Sequence, residues 1–224
     1  MAVAEPQVDF ELDLQTLARD QIAGMSLDVA TPDVVVLGEN SPSSNRLDIL
    51  IIGDGYTADQ RDKFLGDAEN LRVNFSKKSP YSEFENFIKW SALVVSSVQS
   101  GADHPPYNPN CTEYGKCCAD PEAMYDPLAM MPGGTYVNTA FDSTFCRAPS
   151  VHRMLISDYA KVITTASAVP DWDTIFVLVN DSAYGGTGGG KVATFSTHEM
   201  VVEIAQHEMA YSLSKLDDEF SESL

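Results

Sequence analysis

Strands and helices alternate along this chain, and that order predicts an α/β layered fold. Three observations carry the prediction. Short runs of β-branched and apolar residues recur at 47–52, 88–98, 173–180 and 191–197, as buried strands do. Segments with helical spacing lie between and after them, at 57–75, 157–170 and 203–220. Finally, 224 residues with 44% hydrophobic content leave room for a real core, in one domain or two small ones.

Residues 1–45 read as an N-terminal extension of polar turns, with a short strand near Val34–Leu37 and a turn or linker in "ENSPSSN". The main domain is expected over 46–224. Leu47–Ile52 is a buried strand ended by Gly53-Asp54-Gly55. Thr57 can cap the next helix, and Gln60 three residues on completes a capping box. Phe64, Leu65, Ala68, Leu71 and Phe75 then share one helical face. "IKWSALVVSSV" (88–98) is the next strand, so 47–98 forms a βαβ unit. From Gly101 to about residue 140 the chain is irregular, and a connection that long is usually functional or cross-linked. Residues 157–170 form a helix with Ser157 as cap and Pro170 as stop, and "DTIFVLVN" (173–180) is another buried strand. "YGGTGGG" (184–190) reads as a flexible turn or a place where a ligand backbone approaches closely, followed by the short strand "KVATFST" (191–197).

The bulk properties exclude several functions. With 33 acidic and 14 basic residues the formal charge is −19, which repels nucleic-acid backbones and anionic lipids. No apolar run reaches the length of a membrane span. "GGTGGGKV" lacks the phosphate-loop pattern, and a strand rather than a helix follows it. The four cysteines, Cys111, Cys117, Cys118 and Cys146, do not have the paired CxxC spacing of a zinc ribbon. They read as staples of an extracellular loop, which places the chain outside the cell, although "MAVAEPQVDFELD" has no secretory-signal pattern.

The last helix carries the chemistry. "EIAQHEMAYSLSKLDDEF" (203–220) contains His207-Glu208, the first two residues of the zinc motif HExxH. In that motif residues i and i+4 share a helix face and hold one metal, and the glutamate between them serves as general base. Here Tyr211 stands at i+4, and a phenol with an ordinary pKa of about 10 is a weak zinc ligand. Asp217 and Asp218 are within reach as a third ligand, and Glu203 lies one turn upstream on a similar face. His198, nine residues before His207, would face away from it on an unbroken helix. It is expected at the helix start or on the substrate side.

The segment "HEMAYSLSKLDDEF" resembles the active helix of the IgA-peptidase family of secreted zinc metallopeptidases, HExGHSxxxLxDEY. "LDILIIGDGYTADQRDKFLGDAENL", "SSVQSGADHP", "FDSTF" and "YGGTGGGKVATFSTH" are similar to family segments in the same order, from about residue 46 to 220. The resemblance implies a zincin-like catalytic domain, a twisted mixed sheet with an active-site helix, and one zinc ion. It implies glutamate-assisted attack of metal-bound water on a peptide or protein substrate. Glu208 would be the general base; His207 a zinc ligand, Asp218 the third ligand and Tyr211 the replacement for the second histidine. Gly185, Gly186 and His198 would lie on the substrate side, beside the cleft. Family members continue well past this helix, so part of the cleft is expected beyond Leu224. Three functions stay open: an active zinc endopeptidase, a pseudopeptidase of the same fold with a binding role, and an unrelated domain whose His-Glu pair is coincidental.

Overall fold

The computed structural model describes residues 32–38 and 45–214, with side chains as far as Met209. Its centre is a six-stranded mixed sheet in the order β1-β3-β2-β4-β6-β5. The strands are β1 (Val34–Gly38), β2 (Leu47–Asp54), β3 (Ile88–Leu93), β4 (Thr174–Val179), β5 (Gly186–Gly189) and β6 (Val192–Ser196). β2, β3, β4 and β6 run parallel, and the edge strands β1 and β5 are antiparallel to their neighbours. Strand β1 falls within 1–45 yet joins the sheet through β3.

The continuous apolar runs of β2 and β4 reflect burial on both faces, as parallel strands require. Ile49, Ile51, Phe176 and Leu178 point to one face, where α1 (Arg61–Phe75) contributes Phe64, Ala68, Leu71 and Phe75. On the same face α3 (Val201–Ser214) adds Val202, Ile204, Ala205 and Met209. Leu50, Ile52, Ile175 and Val177 point the other way, onto α2 (Tyr159–Ala166) and onto Phe141, Phe145 and Leu155 of the irregular region. The capping box forms as expected, with Thr57 N–H donating to Gln60 Oε1 at 3.0 Å. It opens a short 3₁₀ turn that leads into α1.

Three local expectations change. Strand β3 stops at Leu93, five residues short of the expected end. Beyond Leu93 the backbone turns to other partners, Val94 N–H donating to Asp33 O and Ser97 N–H to Tyr56 O. The helix expected over 157–170 is α2, shorter at both ends and capped by Asp158, whose carboxylate accepts from Lys161 N–H at 3.1 Å. Ser157 is instead hydrogen-bonded to the Ser143 hydroxyl at 2.7 Å. The glycine-rich stretch is not a flexible turn, since Gly186–Gly189 pairs with β6 as the edge strand β5.

The irregular region is anchored at one buried carboxylate. Asp54, at the C-terminal end of β2, accepts from Ser97 Oγ and Phe141 N on Oδ1. Its Oδ2 accepts from Thr139 Oγ1, Ser143 N and Ser143 Oγ. These bonds tie residues 139–143 to the sheet and set the start of the segment that carries Phe145 and His152. Cys118–Cys146 then pins that segment to the cysteine loop, while Cys111–Cys117 closes the loop on itself. The stapled-loop expectation is met, and both bridges fit an oxidising compartment. No helix among the described residues is long and apolar enough to cross a membrane.

Candidate active site

Helix α3 lies against β5 and β6, and its position depends on glycines. A Cβ on Gly188 would come within 2.4 Å of the Glu208 carbonyl oxygen and 2.9 Å of Glu208 Oε2. One on Gly186 would fall 2.5 Å from Ile204 Cγ2 and 3.4 Å from Glu208 Oε1. The close approach expected here was that of a ligand backbone; at Gly186 and Gly188 the neighbour is the chain's own helix. Helix and strand touch without an intervening side-chain layer, which brings the Glu208 carboxylate onto the edge strand. Glu208 is 6% exposed, whereas its neighbour His207 is exposed. Both line a cavity of about 420 Å³ together with Arg153, Tyr184, Gly186 and Glu203.

Gly186 is in this cavity wall, while Gly185 is covered by the Phe145 ring, 2.5 Å from where its Cβ would stand. Glu203 receives a hydrogen bond from Lys78 Nζ, and that bond holds its carboxyl below the usual range. Lys78 is thus the partner of the carboxylate that lies one turn upstream of His207. His198 lies at the entry to α3, with Nδ1 accepting from Met200 N–H at 3.2 Å and its carbonyl from Val201 N–H at 2.8 Å. Its ring meets Tyr184 edge-on at 5.3 Å. Tyr211 is in the last turns of α3, one turn after His207, which puts the two positions on one helix face. Its side chain, and Asp217 and Asp218 entirely, lie outside the described residues.

A second group of titratable residues stands nearby. Asp126 Oδ2 is 2.5 Å from His104 Nδ1 and 2.8 Å from His152 Nε2, and His104 Nε2 is 3.0 Å from Asp181 Oδ2. All four side chains are almost wholly buried. Phe145 stacks on both imidazoles, with centroids 4.6 Å from His104 and 5.8 Å from His152. Asp120 sets the spacing between partners. It caps the 3₁₀ turn Pro121–Tyr125 by accepting from Glu122 N–H, and its other oxygen accepts from His152 N–H at 2.7 Å. Asp126 follows that turn, and its Oδ1 accepts from Leu128 N–H at 2.9 Å.

Burial disfavours the His104 imidazolium, but hydrogen bonds to Asp126 and Asp181 outweigh it and raise the pKa to about 9. For Asp126, burial pushes upward and is outweighed by bonds from His104 and His152, which hold the carboxyl far below its ordinary range. The cluster forms part of the wall of a cavity of about 720 Å³ that also meets Tyr184 and His198. Tyr184 borders this cavity and the one at His207. Sequence reasoning did not find this group. Its members are 22 and 26 residues apart in a region without periodicity, and the only signal is that two of four histidines fall near the cysteine loop.

The family model described as IgA peptidase M64 matches residues 35–114 and 129–224. The stretch between, 115–128, carries Cys117, Cys118 and Asp126. No curated protein matches the chain. The family match spans the sheet, the glycine-rich edge strand and the His207-Glu208 helix, and the chain belongs to the IgA peptidase M64 family.

Proposed function

We propose that this chain is a secreted zinc endopeptidase, folded as a zincin-like domain, in which Glu208 acts as general base. The observation that carries this reading is the shared cavity between α3 and β5. The exposed His207 and the buried Glu208 line it together, beside an edge strand. A carboxylate facing the cavity has the proton-accepting chemistry of a base that must take a proton from the attacking water and pass it on. An extended peptide could add to the outer edge of β5 through backbone hydrogen bonds. Among the described residues that edge carries a bridge to Met154 at Gly186, which leaves Thr187–Gly189 for a substrate.

The donor chemistry fits a zinc ion in part. His207 offers an imidazole to the cavity, Tyr211 follows one turn on, and Asp218 would complete the set. When bound, the ion would polarise the scissile carbonyl and acidify water. The chain's own residues do the rest: Glu208 moves the proton, and β5 aligns the substrate backbone.

Tyr211 favours a second reading, a pseudopeptidase that binds peptides without cleaving them. Incubation of the purified chain with an unfolded protein such as casein separates the two. The peptidase reading expects cleavage that a chelator stops and zinc restores. Absence of cleavage, with Tyr211→His raising zinc affinity, would establish the pseudopeptidase instead.

A further inference from the structure

We propose that His104, Asp126 and His152 form a second divalent-metal site, built for a zinc-class ion and separate from His207 on α3. Two imidazoles and one carboxylate are the donor set of three-ligand zinc sites that keep a fourth position open. Oxygen-preferring calcium and magnesium are poorly served by it. The three ligand atoms lie within 4.8 Å of one another and are buried. Donors at zinc distance, about 2.0–2.1 Å from the ion, stand about 3.3 Å apart in a tetrahedron. Against the observed 2.5 and 2.8 Å, the Asp126 oxygen needs to retreat by about 0.5–0.8 Å, a side-chain adjustment.

The surroundings are those of a metal centre. A ligating histidine usually gives its other ring N–H to a carboxylate, which fixes the tautomer and points the free lone pair at the metal. His104 has such a partner in Asp181; its Nδ1, hydrogen-bonded to Asp126 in the metal-free protein, would give up its proton for the ion. The second oxygen of Asp126 is held by Leu128 N–H, and Phe145 fixes both ring planes. The cavity provides the open side. His104 and His152 lie within the residues that the family model matches, and Asp126 lies in the stretch between the two matched parts.

The test measures zinc affinity and stoichiometry in the full chain, by calorimetry and elemental analysis. His207→Ala is expected to retain one zinc per chain, and adding His152→Gln to it to weaken that binding by at least about 100-fold. Asp181→Asn, which touches no ligand atom, is expected to weaken the same binding by about 10–100-fold. Circular dichroism establishes whether each variant folds. Should His152→Gln not fold, cobalt substitution of His207→Ala reads the site directly, through visible bands of an imidazole- and carboxylate-bound ion. The proposal is overturned if His207→Ala binds no zinc or cobalt, or if its zinc affinity is unchanged by His152→Gln. Loss of zinc in His207→Ala leaves the peptidase reading intact. Chelator-insensitive or absent proteolysis by the native chain, with His207→Ala still binding zinc, would instead sink the peptidase reading alone.

Discussion

Asp54→Asn should destabilise the domain severely, although it changes one oxygen to an amide. The carboxylate accepts five hydrogen bonds in a fully buried position. With the asparagine oxygen at the Oδ2 position, the bonds from Thr139 and Ser143 survive. The amide NH₂ then faces Phe141 N–H and the Ser97 hydroxyl, which donated to Oδ1. Ser97 Oγ already accepts from Gly55 N–H and Ala140 N–H, so its proton has no easy second outlet. Two buried donors without acceptors cost about 1–3 kcal/mol each, or roughly 2–6 kcal/mol together. That is a large share of a typical stability of about 5–15 kcal/mol. In urea, with a slope of about 2 kcal/mol/M, the unfolding midpoint should fall by about 1–3 M. A fall below about 0.5 M would refute the claim that this carboxylate anchors 139–143. Thr139→Val, which removes one donor and leaves the carboxylate, should cost only about 0.5–1.5 kcal/mol.

Two further predictions concern the helix and the cluster. Gly188→Ala should cost about 1–3 kcal/mol and reduce proteolysis, because its Cβ would meet the Glu208 carbonyl at 2.4 Å; unchanged midpoint and activity would contradict the close contact of α3 with β5. Under chelation, stability should depend on pH through His104, whose pKa is about 9 when folded and about 6.5 when unfolded. Its contribution, roughly 3 kcal/mol, is fully present below pH about 6.5 and is lost as pH rises through about 9. Asp126, with its carboxyl depressed, acts in the opposite sense, contributing above pH about 4 and losing that contribution as pH falls further. Urea midpoints between pH about 6 and about 9.5 should therefore fall in the native chain and change much less in Asp126→Asn.

What was legible in the sequence was local. The β-branched run of β2, the Thr57–Gln60 capping box and the apolar face of α1 each depend on neighbours a few residues apart, and each appears where its pattern placed it. His207-Glu208 was legible because motif spacing on a helix is also local. Strand β5 was not, since its glycines carry no strand preference. It exists because β6 pairs with it and α3 can rest on it only where side chains are missing. At α2 both Ser157 and Asp158 can cap, and a tertiary bond to Ser143 decided between them. The His104–Asp126–His152 group was hidden for the same kind of reason. It is assembled by Asp120 and held near the Cys118–Cys146 bridge, contacts between residues far apart in the chain.

In the proposed reaction Glu208 moves the proton during peptide hydrolysis. The most direct measurement compares hydrolysis of an unfolded protein substrate by the native chain and by Glu208→Gln, at matched zinc content. Hydrolysis by the native chain and a loss of about 10²–10⁴-fold in the variant, with zinc still bound, are expected. Equal rates in the two proteins would contradict this role of Glu208.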